Sequence, residues 1–141
     1  MEEGDADRML AELIRVTRSG GRVAAIVRGD DWPALFALPL PPDLQTKAGR
    51  AVGGGADVRG CADSSLYRRF RAAGLTQVRT FPQFAVYDDP DSVMVRHYQS
   101  RILGVLTPDE ANQWQRAVAE TEAQGAFVLA APHHCAIGTK P

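Results

Sequence analysis

The spacing of apolar and polar residues predicts helices that alternate with strands in the first part of the chain. Apolar residues recur with helical spacing after Asp5, which can cap a helix, and a pair of glycines ends this helix. The run VAAIV at 23–27 is apolar without interruption, which predicts an internal strand covered on both faces. A connection rich in proline and glycine then extends to Gly60 and contains one short predicted helix at 42–52.

The same alternation continues in the second part of the chain. A helix is predicted after Asp63 or Ser64, either of which can cap it, and a strand with one wetter face follows at 76–87. Two helices come next, and the second begins with the capping box TPDE at 107–110. A final strand is expected to be broken or bulged near Pro132. Helices alternating with strands indicate an α/β layered sheet.

Composition and charge exclude some classes of function. The chain has 141 residues, which suits one globular domain, and its 16 basic and 17 acidic residues lack the positive footprint of a nucleic-acid-binding protein. No apolar run approaches the roughly 18 residues that span a bilayer, and the acidic start does not resemble a signal peptide. We therefore expect a cytoplasmic protein with no nucleic-acid or membrane partner. Cys61 and Cys135 are expected to be reduced, ordinary thiols.

Three segments resemble the C-terminal half of class I methyltransferases that use S-adenosylmethionine, in particular the small-molecule branch that includes ubiquinone and menaquinone methyltransferases. RMLAELIRVTRSGGRVAAIVRGDDW, at 8–32, resembles that family's helix, glycine turn and fifth strand. LYRRFRAAGLTQVRTFP, at 66–82, resembles its next helix and sixth strand, and HHCAIGTKP, at 133–141, its closing seventh strand. The segments follow one another in the family's order, so the resemblance covers nearly the whole chain.

The resemblance implies a particular fold. Residues 1–141 would form a single partial methyltransferase domain, the C-terminal part of a Rossmann-like fold, with a three-stranded mixed sheet and flanking helices. The last strand would lie between the other two and run antiparallel to both. In the family, a further strand pairs with the fifth strand, so the strand at 23–27 would have an unpaired edge here.

The resemblance also implies that the cofactor-binding half is missing. The family's glycine-rich loop after the first strand and the acidic residue after the second strand have no counterpart in this sequence. The run GGGADVRG at 53–60 does not follow a buried strand and is interpreted as a flexible linker. S-adenosylmethionine is thus the expected cofactor of the full-length parent enzyme, and this chain alone is expected to bind no cofactor.

The candidate substrate pocket lies where the first strand ends. Ligands of open α/β sheets bind beyond the carboxyl ends of the parallel strands, and Asp30, Asp31 and Trp32 occupy that position. Arg59 and Tyr67 stand near the entry to the following helix, where relatives often shape the acceptor site. The alternative for the first group is a polar strand exit with a packed indole. For Arg59 and Tyr67 the alternative is surface charge and helix capping.

No metal site is expected. In the motif HHC, strand alternation puts His133 and His134 on opposite faces, so only His133 and Cys135 could converge, too few for a structural zinc site. No catalytic residue can be assigned. His133 or His97 could act as a general base for an acceptor that must lose a proton, although ordinary structural positions explain both.

Three hypotheses for the function remain open, and whether the chain is an enzyme is left undecided. The first is a truncated small-molecule methyltransferase that contributes the substrate side of the site and is inactive alone. The second is a non-catalytic module that binds a partner or dimerises through the exposed strand 23–27. The third is an unrelated small α+β ligand-binding domain. Under the second hypothesis, Ile26→Lys would reduce association and also cost stability, because the charge would be buried.

Overall fold

The computed structural model describes residues 3–53 and 63–141, and these residues form an α/β structure with a four-stranded antiparallel open sheet. In chain order the elements are α1 (Glu3–Val16), β1 (Arg22–Arg28), β2 (Leu35–Phe36), α2 (Pro42–Val52), α3 (Leu66–Ala72), β3 (Thr76–Tyr87), α4 (Val93–Leu103), α5 (Pro108–Ala123) and β4 (Leu129–Thr139). The expectation of three strands in a mixed sheet is wrong, because a fourth short strand is present and the pairing is antiparallel.

Strand β4 pairs with all three other strands. It pairs antiparallel with β1 from His133 to Thr139 and antiparallel with β2 at Leu129 and Ala130, and it also pairs with β3. The expected position of the last strand, next to the strands at 23–27 and 76–87, is therefore confirmed.

Pro132 does not interrupt β4, which is continuous from Leu129 to Thr139, so the expected break is wrong. Residue 132 lies between the stretch of β4 that pairs with β2 and the stretch that pairs with β1.

The described chain divides into two compact units, and the first comprises residues 3–31, 63–83 and 133–141. Its core lies between α1, α3 and one face of the sheet. The buried residues of this core are Ala6, Leu10, Val23, Leu66, Phe70, Leu75 and Ala136. Gly74, with φ of +83°, links α3 to β3 in a conformation that favours glycine.

Strand β1 is covered on only one face, which differs from the expectation. Val23 is buried, and Ala25 and Val27 are half-buried against the core of unit 1. The residues between them, Ala24 and Ile26, are exposed, and Ile26 is 67% exposed. A continuous apolar run does not reveal that one face lacks a cover, because small alanines suit either environment.

Lys140 closes the C-terminal end of α1 in unit 1. Its ammonium group donates to the carbonyl oxygens of Ile14 and Thr17, each at 2.8 Å. Its backbone also exchanges hydrogen bonds with Gly20 and Gly21. The last carbonyls of a helix lack partners within the helix and carry partial negative charge, so a lysine is well suited to them.

The second unit comprises residues 32–53 and 84–132 and has its own core. Phe36 and Trp114 meet edge to face with ring centroids 5.0 Å apart, and Tyr98 and Ile102 of α4 are buried in the same core. The predicted capping box is confirmed, because Thr107 accepts from the Glu110 amide and the Glu110 side chain accepts from the Thr107 amide. Lys47 of α2 donates to Glu110 at 2.6 Å.

Within the described ranges, no helix combines the length and the apolar composition needed to cross a membrane. The cytoplasmic location stays a prediction, and so does the assignment of the chain to a single partial domain.

Candidate functional site

A short polar contact within unit 1 joins Asp31 to His134. Asp31 follows β1 after a short turn, and one of its carboxylate oxygens lies 2.5 Å from Nε2 of His134. Its other oxygen accepts a hydrogen bond from the Ser64 amide at 3.1 Å. His134 stands opposite Val27 in the register between β1 and β4, near the carboxyl end of β1. The contact therefore lies at the edge where the sequence predicts a pocket.

Both side chains of this pair are shielded from water. The side chain of His134 is 11% exposed and that of Asp31 is 24% exposed. Electrostatic interactions are stronger where water is excluded, so the carboxylate fixes the orientation of the ring. A histidine held in this way can orient a polar ligand.

Asp63 adds a second carboxylate near the imidazole. Desolvation by burial opposes its ionisation, but hydrogen bonds from Ser65 and the positive charges of Arg69 and His134 hold the pKa of Asp63 below its ordinary value. Asp63 accepts from the Ser65 amide at 2.9 Å. The expected helix caps are thus wrong in detail. Ser65 occupies the N-cap position, and its side chain accepts no hydrogen bond from a helix amide. Ahead of the helix, the Ser64 amide donates to Asp31 and the Ser65 amide donates to Asp63.

Arg69 ties this region to α1. Its guanidinium group donates to Asp7 at 2.7 Å and to the Ser65 hydroxyl at 2.9 Å. The side chain of Arg69 is 9% exposed, so the arginine is held in one place by two partners. The start of α3 is therefore fixed by charged groups from α1 and from the turn after β1.

Asp30 has a different environment from its neighbour. It forms an ion pair with Arg28 at 3.2 Å, in which the Asp30 side chain is 15% exposed and the Arg28 side chain is 54% exposed. The interaction remains open to solvent on one side, which weakens it. Of the two adjacent carboxylates, Asp31 is thus the one that joins different elements of unit 1.

The other predicted pocket residues are not all placed beside Asp31. Tyr67 is half exposed in the first turn of α3. Trp32 belongs to unit 2 and is 37% exposed. Arg59 lies outside the described residues, as does the run 54–60 of the glycine-rich segment. The structure therefore brings together Asp31, Ser64 and His134.

Sequence reasoning missed His134 because the HHC motif was considered mainly for metal binding. Alternation puts His134 on the face of β4 that carries Ala136 and packs against α1 and α3. His133 lies on the opposite face, opposite Arg28 in the register, and His97 is exposed on α4 in unit 2. Among the residues that the structure describes, no group of three or more metal-binding side chains converges.

The described residues include no counterpart of the glycine-rich loop that the resemblance assigns to S-adenosylmethionine. In that part of the chain, no strand leads through a glycine-rich loop directly into a helix, which is the arrangement that holds a nucleotide-containing cofactor in sheets of this kind. Burial raises the pKa of the Cys135 thiol, so this cysteine is no reactive nucleophile.

No model of a protein family matches the sequence, and no curated protein matches it.

Proposed function

We propose that this chain is the substrate-side part of a class I small-molecule methyltransferase and is inactive alone. The observation that carries the proposal is the order of strands. Strand β4 lies beside both β1 and β3 and runs antiparallel to β1, as the resemblance implies for the seventh, fifth and sixth strands of that family. The position of β4 next to both β1 and β3 supports the proposal.

The proposed role of the Asp31–His134 pair is to bind the methyl acceptor. The pair lies near the carboxyl end of β1, where ligands of such sheets bind. Acceptors of this family lose a proton when they are methylated, and a shielded carboxylate and imidazole can hold a hydroxyl or amine by hydrogen bonds. The residues described here contribute orientation and exclusion of water, which supply much of the rate in such transfers.

A reconstitution experiment tests this proposal. The purified chain is titrated calorimetrically with S-adenosylmethionine, and no binding in the micromolar range is expected. The chain is then mixed with a separately expressed segment that contains a strand, a glycine-rich loop and a helix, taken from the coding region next to that of this chain. The mixture is expected to form a complex that binds the cofactor.

Three outcomes would contradict the proposal. The first is micromolar binding by the chain alone, and the second is an adjacent coding region that contains no such segment. The third is a complex that forms but does not bind the cofactor. The last two outcomes favour the unrelated ligand-binding domain.

A second candidate function rests on a different observation. Among the described strands, β1 pairs with β4 alone, and Ile26 is 67% exposed on its open face. An unpaired apolar edge strand is a template for strand addition, so the chain can serve as a dimerising module in which β1 pairs with β1 of a second copy. The state of association in solution tests this candidate independently of cofactor binding.

A further inference from the structure

Unit 1 contains a concave surface on the side of the sheet that α1 and α3 leave open. Its volume is about 720 Å³, and it is lined by residues from the start of β1, the start of β3 and the end of β4. Strand β4 ends at Thr139 opposite Arg22, so this cavity lies at the end of β1 remote from Asp31. It is therefore separate from the candidate acceptor site.

The polar groups that line the cavity are mainly hydrogen-bond donors. Arg22 and Arg79 are the charged residues among those that line it, and none of the described lining residues carries a carboxylate. Gln77 accepts from the Thr139 hydroxyl at 3.5 Å through its carboxamide oxygen, which leaves its amide hydrogens for another acceptor. The cavity thus offers positive charge and amide donors, and no acidic side chain among its described lining residues compensates them.

The backbone of Gln77 is strained. Its φ is +50°, and it is the one non-glycine residue with positive φ in the part of the chain that the structure describes. Glutamine has neither the short side chain nor the small size that makes this region accessible to asparagine or glycine. Strained residues of this kind are concentrated at binding sites, where the strain positions a side chain. Gln77 lines the cavity, so the strained residue lies in the same site as the hydrogen-bond donors.

We propose that this cavity binds a small molecule that carries an oxyanion group, a phosphate or a carboxylate. Arginine recognises both groups through paired hydrogen bonds, and two arginines with an amide donor match three or more oxygen atoms. The volume exceeds that of a bare oxyanion, which leaves room for an organic remainder. This proposal does not depend on the methyltransferase proposal.

Another explanation for the arginines is protection of exposed strands. Charged side chains on an open sheet prevent aggregation, and this role requires no particular geometry. It would not explain the conformation of Gln77, which costs stability without adding charge. The two explanations also differ in their response to anions, because solubilising charges respond only to ionic strength.

An NMR titration of the full chain with inorganic phosphate distinguishes these explanations. Ionic strength is held constant with sodium chloride, and citrate serves as the carboxylate probe in a parallel series. We expect saturable shifts of the amides of Gly20, Gln77 and Gly138, and the tighter of the two probes identifies the oxyanion. Arg79→Gln should weaken binding about tenfold, as expected for the loss of one charged hydrogen-bond donor, whereas Arg71→Gln on α3 should not. Shifts that do not saturate, or equal binding by the two variants, would overturn the proposal.

Gln77→Gly separates a binding role from a purely structural one. Glycine adopts positive φ without strain, so this variant should be at least as stable as the parent chain in thermal unfolding. If Gln77 donates to the ligand, the variant also binds phosphate more weakly. A stabilised variant with unchanged phosphate binding would contradict the assignment of Gln77 to the site, while Arg79→Gln still tests the cavity.

Discussion

Asp30 and Asp31 are adjacent acids with opposite structural roles. Asp31 joins the turn after β1 to β4 and to the approach to α3, and its partner His134 is buried. Asp30 pairs with a neighbouring arginine that is largely exposed. The difference follows from partners far away in sequence, because His134 lies 103 positions after Asp31.

Matched alanine substitutions should reveal this difference. Asp31→Ala leaves a buried imidazole and the Ser64 amide without their carboxylate and should lower the free energy of unfolding by about 1–3 kcal/mol. Asp30→Ala removes an ion pair with a largely exposed arginine and should cost less than about 1 kcal/mol. Urea unfolding of both variants measures the costs. Equal costs would show that the His134 contact does not stabilise unit 1.

The ionisation of Asp63 should make the free energy of unfolding depend on pH in the acidic range. Its pKa is lower in the folded chain than the ordinary value of 3.8, so the carboxylate stabilises the fold above that value. This contribution is lost as the pH falls from 3.8 through the lower pKa of the folded state. Asp63→Asn cannot ionise and should show a shallower loss of stability between neutral pH and pH 3.

Unfolding of the two chains at several pH values checks this sign. Asp88→Asn, which changes an exposed acid after β3, is the matched control and should follow the parent chain. A steeper acid dependence in Asp63→Asn would contradict the prediction.

At the scale of elements, the capping box at the start of α5 is the clearest link between sequence and structure. The side chains of Thr107 and Glu110 each accept a hydrogen bond from the other's backbone amide, and the Glu110 carboxylate also accepts a hydrogen bond from Lys47. The hydrogen bond from Lys47, helped by the Thr107 amide, holds the pKa of Glu110 below its ordinary value. The start of α5 is thus specified by local residues and linked to α2 by one charged contact.

Removing this cap should destabilise unit 2. Thr107→Ala loses the side-chain acceptor for the Glu110 amide and should cost about 1 kcal/mol. Thr46→Ala is the control, because Thr46 is exposed within α2 and alanine there favours the helix by a few tenths of a kcal/mol. Urea unfolding should therefore show changes of opposite sign. A stable Thr107→Ala variant would mean that the cap contributes nothing.

The sequence predicted the elements with strong local signals. The helix at 42–52 and the strand at 76–87 have the predicted bounds, because proline, glycine and alternation mark their ends. Strand β2 was missed because two residues carry no periodicity. The break at Pro132 was wrongly predicted because the pairing on either side of a proline depends on strands distant in sequence.

The candidate site was predictable only in part. Asp31 was identified because it follows a strand, which is a local signal. Its partner His134 was not identified. The alternation of side chains along a strand shows which residues share a face, but it does not show which of them contacts a particular loop. The strain at Gln77 has no sequence signal at all, since glutamine is not a residue that marks positive φ.

At the scale of the whole molecule, the open edge of β1 should govern association. Ile26→Lys should reduce self-association measured by light scattering, because a charge on an edge strand opposes strand addition. The expected cost in stability is small, in contrast to the expectation from sequence, because Ile26 is exposed and its replacement stays in water. Val16→Lys on α1, also exposed and apolar, is the control and should leave association unchanged. A monomeric parent chain at high concentration would contradict this prediction.

The contacts of Lys140 have a consequence for the order in which the protein is made. Unit 1 combines α1 and β1 with residues 133–141, and the carbonyl groups at the end of α1 receive the Lys140 side chain. A ribosome releases residues 32–132, which contain all described residues of unit 2, before it releases Lys140. Unit 2 can therefore assemble during translation, whereas α1 and β1 must wait for residues 133–141 to emerge. Until then, nascent β1 lacks the strand with which it pairs.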